Sequence, residues 1–315
     1  MGLSGIKSFM GYLKILFFGG SALLLAACAP TTQIAQPDLR PYDKVLAPFL
    51  QVLESRQPEE AGSLTLDEWI KRGDELRAKG DKDEAMLAYL QSYKLSPNNI
   101  PVLLRLGRLH RDRHELELAE LALRSILDLE QSSAEARADL GLVKLDQRDR
   151  VAAEQLLEEA LRLDSARWEA HDALGVLADL RGDHGGAVAH YEAALKVHVS
   201  PMVLNNLGYS YYLAGDLEQA RARFQQALSA DPSFQRAQYN LALVTAKLGS
   251  YQEAVALFGK LMEPDAAYNN VGYLCMMEGK YDEAEAFFRK AIEISPKYNV
   301  IANENLKALQ RMRSN

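Results

Sequence analysis

One interval governs this chain. Gly73, Gly107, Gly141 and Gly175 lie 34 residues apart, Gly208 follows at 33, Ala242 takes the glycine's place at 34, and Gly272 comes at 30. A period of that length belongs to solenoids, in which each unit buries its apolar face only against its neighbours. Alanine recurs in step with the glycines, at Ala85, Ala119, Ala153, Ala187, Ala220 and Ala284. Both series are expected where paired helices approach closely, because a side chain larger than methyl would push the backbones apart. With 48% hydrophobic and 25% charged residues, the composition suits a folded array and excludes disorder for most of the length.

Around the glycines the sequence resembles the tetratricopeptide repeat, whose pattern runs W-x2-L-G-x2-Y, then A-x3-F, then P. Unit one supplies Trp69, Gly73, Leu76, Ala85, Tyr89 and Pro97. Unit five supplies Leu204, Leu207, Gly208, Tyr211, Ala220, Phe224, Ala227 and Pro232, and unit seven Tyr268, Val271, Gly272, Ala284, Phe288, Ala291 and Pro296. Units two to four keep the alanine but lack the proline. The resemblance implies an all-α, right-handed superhelical solenoid of about seven tetratricopeptide repeats, at 66–99, 100–133, 134–167, 168–200, 201–234, 235–264 and 265–298, closed by a capping helix at 299–315. The aromatic four residues after the alanine is expected to fill the space between adjacent units. Gly80, Gly182, Gly215, Gly249 and Gly279 supply the turns between helices. In unit six Pro264 arrives about four residues early, so one turn is missing from the second helix. The stacking of unit seven on unit six is expected to change there and to be weak.

Ahead of the array, Lys7 and Lys14 precede an apolar run from Ile15 to Ala27 that ends at Cys28. A run of about 13 residues is too short to span the ~30 Å of a bilayer's hydrocarbon core as a helix, so residues 1–27 read as a signal peptide, with Met10 as an alternative start. Leu25-Ala26-Ala27-Cys28 resembles the lipobox of bacterial lipoproteins. That resemblance implies a diacylglycerol on the Cys28 thiol and cleavage before it; two acyl chains hold a membrane stably where one does not. Ala29, standing where aspartate would retain the protein at the inner membrane, implies by the same resemblance an outer-membrane, periplasm-facing location. The alternative is an ordinary secretory signal with a cysteine at the cleavage site. Residues 28–65 carry Pro30, Pro37, Pro41, Pro48 and Pro58 and read as a tether, within which Tyr42 to Leu53 has the spacing of a short helix that docks on the array.

Every residue after 65 falls in a repeat or the cap, which leaves no chain for a catalytic domain and points to a protein that is not an enzyme and needs no cofactor. A net charge of −7 offers no basic stripe for phosphates, so nucleic acid is not an expected partner. His110 and His114 stand at i and i+4, but no third ligand is near and the glutamate of the zincin motif is absent. A packed inner histidine and a loop histidine, with no metal, are the expectation. His184-Gly185-Gly186 fits no phosphate-binding loop, and Cys275 reads as a small core hydrophobe.

Binding surface is what remains. If the first helices line the concave side, unit positions 2, 5, 6, 9, 12 and 13 face the groove, and 4, 7, 8 and 11 are used in packing. Position 6 is Asn206, Asn240 and Asn270 in units five to seven, with Asn205 and Asn269 beside two of them. Tyr209, Tyr212, Tyr239, Tyr273 and Met276 lie around these. An amide donates and accepts together, as peptide backbone requires, and tyrosine gives rigid amphipathic contact area. The arrangement resembles the asparagine ladders by which some tetratricopeptide grooves hold extended peptides; the competing reading has each asparagine bonding a neighbouring helix. Units one to four carry a mixed row instead, Lys71, Arg105, Arg108, Asp139 and Asp172, expected to be a solvated face.

Among lipoproteins of this plan the sequence is similar to the TadD family of Flp (Tad) pilus assembly proteins, through Leu204-Asn205-Asn206-Leu207-Gly208-Tyr209, Tyr239-Asn240-Leu241-Ala242-Leu243, Ala267-Tyr268-Asn269-Asn270-Val271-Gly272-Tyr273 and Ala302-Asn303-Glu304-Asn305-Leu306. The resemblance implies a scaffold role in building the pilus secretion apparatus, with a secretin or another assembly component as partner. A pilotin, or an adaptor for envelope enzymes such as peptidoglycan hydrolases or for outer-membrane protein assembly, is the alternative.

Overall fold

The computed structural model describes residues 40–55, 64–295, 297 and 299–314. The expected signal peptide, Cys28 and tether positions 29–39 and 56–63 lie outside the described residues. Among the described residues there are sixteen helices and no strand. Helix α1 (Pro41–Ser55) precedes the repeats. Seven helix pairs follow: α2 (Leu66–Ala78) with α3 (Lys82–Leu95), α4 (Ile100–Asp112) with α5 (Leu116–Leu129), α6 (Ala134–Asp146) with α7 (Arg150–Leu163), α8 (Trp168–Leu180) with α9 (His184–Val197), α10 (Pro201–Ala214) with α11 (Leu217–Ala230), α12 (Gln235–Lys247) with α13 (Tyr251–Phe258), and α14 (Pro264–Met277) with α15 (Tyr281–Ile294). Helix α16 (Val300–Ser314) closes the series.

Local chemistry sets the helix ends. Thr65 opens the array with a reciprocal cap, its backbone N–H donating to Glu68 Oε2 at 2.7 Å while its hydroxyl accepts from the Glu68 N–H. Asn99, Asp149, Asp183 and Asp216 cap later helices through their side-chain oxygens. Between paired helices the chain turns through the left-handed region, with Gly80, Gly182, Gly215, Gly249 and Gly279 at φ between 75° and 86°. Units two and three place His114 (φ 59°) and Arg148 (φ 65°) at that same turn, a conformation L side chains adopt at some cost.

The glycine series explains how the two helices of a unit meet. A Cβ on Gly73 would stand 2.3 Å from Tyr89, one on Gly175 2.5 Å from Tyr191, and one on Gly208 2.7 Å from Phe224. Gly107 and Gly141 stand in the same relation to Leu123 and Leu157, at 2.9 and 2.7 Å, and Gly272 to Phe288 at 2.8 Å. The large residue therefore fills a notch inside its own unit. This corrects the expectation that it chiefly fills the gap between units: the missing methyl is the room its ring occupies.

Helix α13 ends at Phe258 after eight residues where α11 has fourteen, a loss of more than the expected single turn. The chain then turns through Gly259–Met262, and Pro264 opens α14 in its first turn. The core nevertheless runs unbroken across the joint: Ala242, Ala254 and Phe258 of unit six, Ala267, Val271 and Cys275 of unit seven and Leu309 of α16 belong to one buried cluster.

Helix α1 docks on the array, against α5. Its apolar stripe buries Tyr42 and Leu46 and half-buries Val45, Phe49 and Leu50, the i, i+3, i+4, i+7 pattern of one helix face. The Tyr42 hydroxyl meets His110 Nε2 at 2.9 Å, and its ring stands edge-on to Tyr93. Tyr93 donates its hydroxyl to Asp43, and Arg40 reaches the Pro97 carbonyl.

Candidate protein-binding site

From unit two onward each first helix touches the first helix of the next unit, α4 to α6 and so on to α14 and α16, while successive second helices are held further apart. The row of first helices is thus the short, inner side of the array. On that side Met202, Tyr209 and Leu213 of α10, Tyr239 of α12, and Tyr273 and Met277 of α14 are exposed, the three tyrosines at 43, 44 and 45%. They are large apolar or amphipathic groups left in water on the first helices of three successive units.

Helical geometry corrects the choice of groove positions. Position 12 lies one turn beyond the glycine of position 8 and so faces the paired helix: Met276 and Ala246 are buried there and Tyr212 is half-buried. Met276 therefore belongs to the core and Met277 to the surface. Position 5, one turn before the glycine, buries Asn205 and Asn269 and leaves only Tyr239 exposed. The exposed groups therefore fall at positions 2, 9 and 13, with Tyr239 at position 5, and the asparagines of position 6 are half-buried beside them.

The asparagines connect neighbouring helices. Asn206 donates its amide to Asp172 Oδ1 at 3.0 Å, Asn240 donates to Asn205 Oδ1 at 2.9 Å, and Asn305 of α16 donates to Asn269 Oδ1 at 3.0 Å. Asn270 places its amide 3.2 Å from the Met262 sulfur. The ladder is thus first an internal one, running from α8 to α10 to α12 and from α14 to α16. Burial raises the Asp172 carboxyl above its usual range, against the pull of the Asn206 bond. Around the amides, Tyr209 stacks on Tyr212 with centroids 5.9 Å apart, Lys247 sits 5.5 Å over the Tyr212 ring, and Tyr239 stands edge-on to Phe258.

In units one to four the mixed row is engaged across units. Arg105 bonds Asp74, Arg108 bonds both Asp139 and Glu135 at 2.7 Å, and Asp172 accepts from Asn206. Of that row only Lys71 keeps the solvated character the sequence pattern implies. Asp139 is buried, and desolvation holds its carboxyl above the usual range in spite of Arg108.

His110 is buried between the Tyr42 hydroxyl at Nε2 and the Glu115 carboxylate 2.7 Å from Nδ1, and His114 is an exposed turn residue. Among the described residues no group of three or more His, Cys, Asp and Glu is placed to hold a metal, and no helix is long and apolar enough to cross a membrane. His184 lies in the first turn of α9, its Nδ1 2.9 Å from Asp179. Burial pushes the Cys275 thiol up to about 11, as expected of a core cysteine.

Known sequences and folds agree with this geometry. Profiles described as tetratricopeptide repeat match residues 69–99, 138–198, 205–264 and 266–298. The chain is a tetratricopeptide-repeat protein. Its repeats are 24% identical over 191 residues to Superkiller protein 3 of Schizosaccharomyces pombe, covering 57% of this chain and 14% of that one. They are 35% identical over 82 residues to the peroxisomal targeting signal receptor of Candida glabrata, covering 26% of this chain and 14% of the receptor. The tetratricopeptide chain thus spans about a seventh of the length of these relatives. Among solved structures, the Cut9–Hcn1 hetero-tetramer of the APC/C superposes with a TM-score of 0.59 at 17% identity, over 86% of this chain and 53% of that one. Pseudomonas aeruginosa pilF superposes at 0.52 and 19% identity, over 68% of this chain and 97% of that one. These likenesses establish the tetratricopeptide fold, a scaffold suited to protein–protein interaction.

Proposed function

We propose that this protein is a membrane-anchored scaffold of the bacterial envelope, held at the outer membrane by lipid on Cys28, that captures a segment of a partner protein on the inner face of units five to seven. The carrying observation is the line of exposed Tyr209, Tyr239, Tyr273 and Met277 on that face, beside half-buried amides that the array has already oriented. Tyrosines that lose little side-chain entropy on binding make efficient contact area. The likeness to the TadD family makes a component of the Flp (Tad) pilus machinery, a secretin first, the partner to test.

Since the asparagines hold neighbouring helices together, the discriminating substitution is Tyr209→Ala with Tyr273→Ala. It is expected to lower affinity for the partner by roughly a hundred-fold or more, as for two hot-spot aromatics, with the melting temperature unchanged. Unchanged capture would move the interface off this face. For the anchor, Cys28→Ser is expected to leave the repeats folded and release the protein from membranes; a variant that still sediments with membranes in high salt would refute lipid attachment.

A further inference from the structure

Of the six histidines in the chain, His171, His184, His190 and His198 all fall in unit four. His171 on α8 and His190 on α9 meet Nδ1 to Nδ1 at 3.3 Å, with ring centroids 5.6 Å apart. The difference, 5.6 − 3.3 = 2.3 Å, is two imidazole radii, so the two nitrogens point at each other along the line of centres. Such a pair has room for one proton. His171 Nε2 lies 3.3 Å from the Ser165 carbonyl, which can only accept, so Nε2 carries hydrogen and Nδ1 offers its lone pair to the Nδ1–H of His190.

We propose that unit four is an acid-sensitive joint: below neutral pH the His171–His190 pair takes a second proton from solvent, N–H then faces N–H, and α9 loosens from α8. The consequence passes to unit five, because both of its polar seats rest on this helix pair. Asn206 bonds Asp172, the residue next to His171, and Ser210 donates to Asp179 at 2.8 Å, the carboxylate that also accepts from Tyr191 of α9. The inference stands whether or not the inner face binds a partner.

Charges around the pair agree in sign. Burial, His171 and Arg181 oppose a proton on His190 and outweigh Asp183 and Glu158, so His190 is held below the ordinary histidine value. A histidine depressed in the folded state favours folding above the ordinary range, and that contribution is lost as pH falls through it. His198 stacks on Trp168 and takes no part in the pair. His184 places its Nδ1 2.9 Å from Asp179 and is likewise outside the pair.

Hydrogen exchange on the full chain at about pH 7.5 and about pH 5.5, corrected for intrinsic rates, tests the joint. Protection across 168–200 and α10 is expected to fall several-fold at the lower pH while units two and three keep theirs. His190→Gln, whose amide donates to His171 Nδ1 without a second titrating ring, is expected to abolish the fall. Equal protection at both pH values, the same fall in His190→Gln, or a fall spread over all seven units would overturn the joint. Should that variant fail to fold, imidazole proton titration of the unaltered protein decides: two ordinary, independent curves for His171 and His190 would also overturn it.

Discussion

A methyl group is what the first helices cannot accept at the glycine positions. Gly73→Ala would gain up to about 1 kcal/mol of helix propensity but would drive Cβ to 2.3 Å from the buried Tyr89 ring. Overpacking of this kind costs about 1–3 kcal/mol, so the variant is expected to be less stable, read as a lower denaturant midpoint with an unchanged slope. In unit six the small residue is Ala242, which shares a buried cluster with Phe258, and there the second helix ends at that phenylalanine. The period marks these small residues plainly. It does not reveal which large side chain fills each notch, because helical spacing describes one helix and the partner lies across the turn in another.

Helix α1 is joined to the array by few but specific contacts. Tyr42→Phe keeps the ring and removes the hydroxyl, leaving the buried Nε2 of His110 without a partner, which costs about 1–3 kcal/mol. Faster exchange confined to 41–50 is expected, with the repeats unaffected; faster exchange throughout the repeats would show that α1 is instead part of their core. Acid should act in the same direction. Burial opposes ionisation of Asp43, but bonds from Arg40 and Tyr93 prevail and hold its carboxyl below the usual range. The contribution of that charge is complete at neutral pH and is lost as pH falls through and below the carboxylate range, so α1 is expected to detach there first. The apolar spacing of Tyr42 to Leu50 announces a helix. Its seat is 50 residues away at Tyr93 and 68 at His110, beyond the reach of any local pattern.

The array is stitched by two chemistries. Arginine–carboxylate pairs such as Arg77–Asp112, Arg105–Asp74, Arg108–Asp139 and Arg111–Asp146 link units one to three, and side-chain amides link unit four to five, five to six, and unit seven to the cap. Half-exposed pairs are worth about 0.2–1 kcal/mol each and weaken as salt shortens the Debye length to about 3 Å near 1 M. Because each unit contacts mainly its neighbours, such losses stay local. Raising salt to about 1 M is expected to speed opening of residues 66–146 relative to 201–298. Equal response at both ends would mean that these pairs contribute nothing to the joints.

The seven-unit helical array, its turns and the shortening before Pro264 all follow from the spacing of glycine, alanine and proline, since a repeat must present the same small residue at every equivalent approach. Asn206, Asn240, Tyr209 and Tyr273 were legible as a row for the same reason. Whether a member of that row faces water or the next helix was decided by the packing of neighbouring helices, which buries Asn205 and Asn269, leaves Tyr239 exposed, takes Met276 into the core and turns Met277 out. The bonds of Asn206 to Asp172 and of Asn240 to Asn205, like the ion pairs of units one to three, exist only once stacking brings residues some 34 apart to within 3 Å. Periodicity fixes what recurs along a chain, and tertiary packing decides which recurring groups meet.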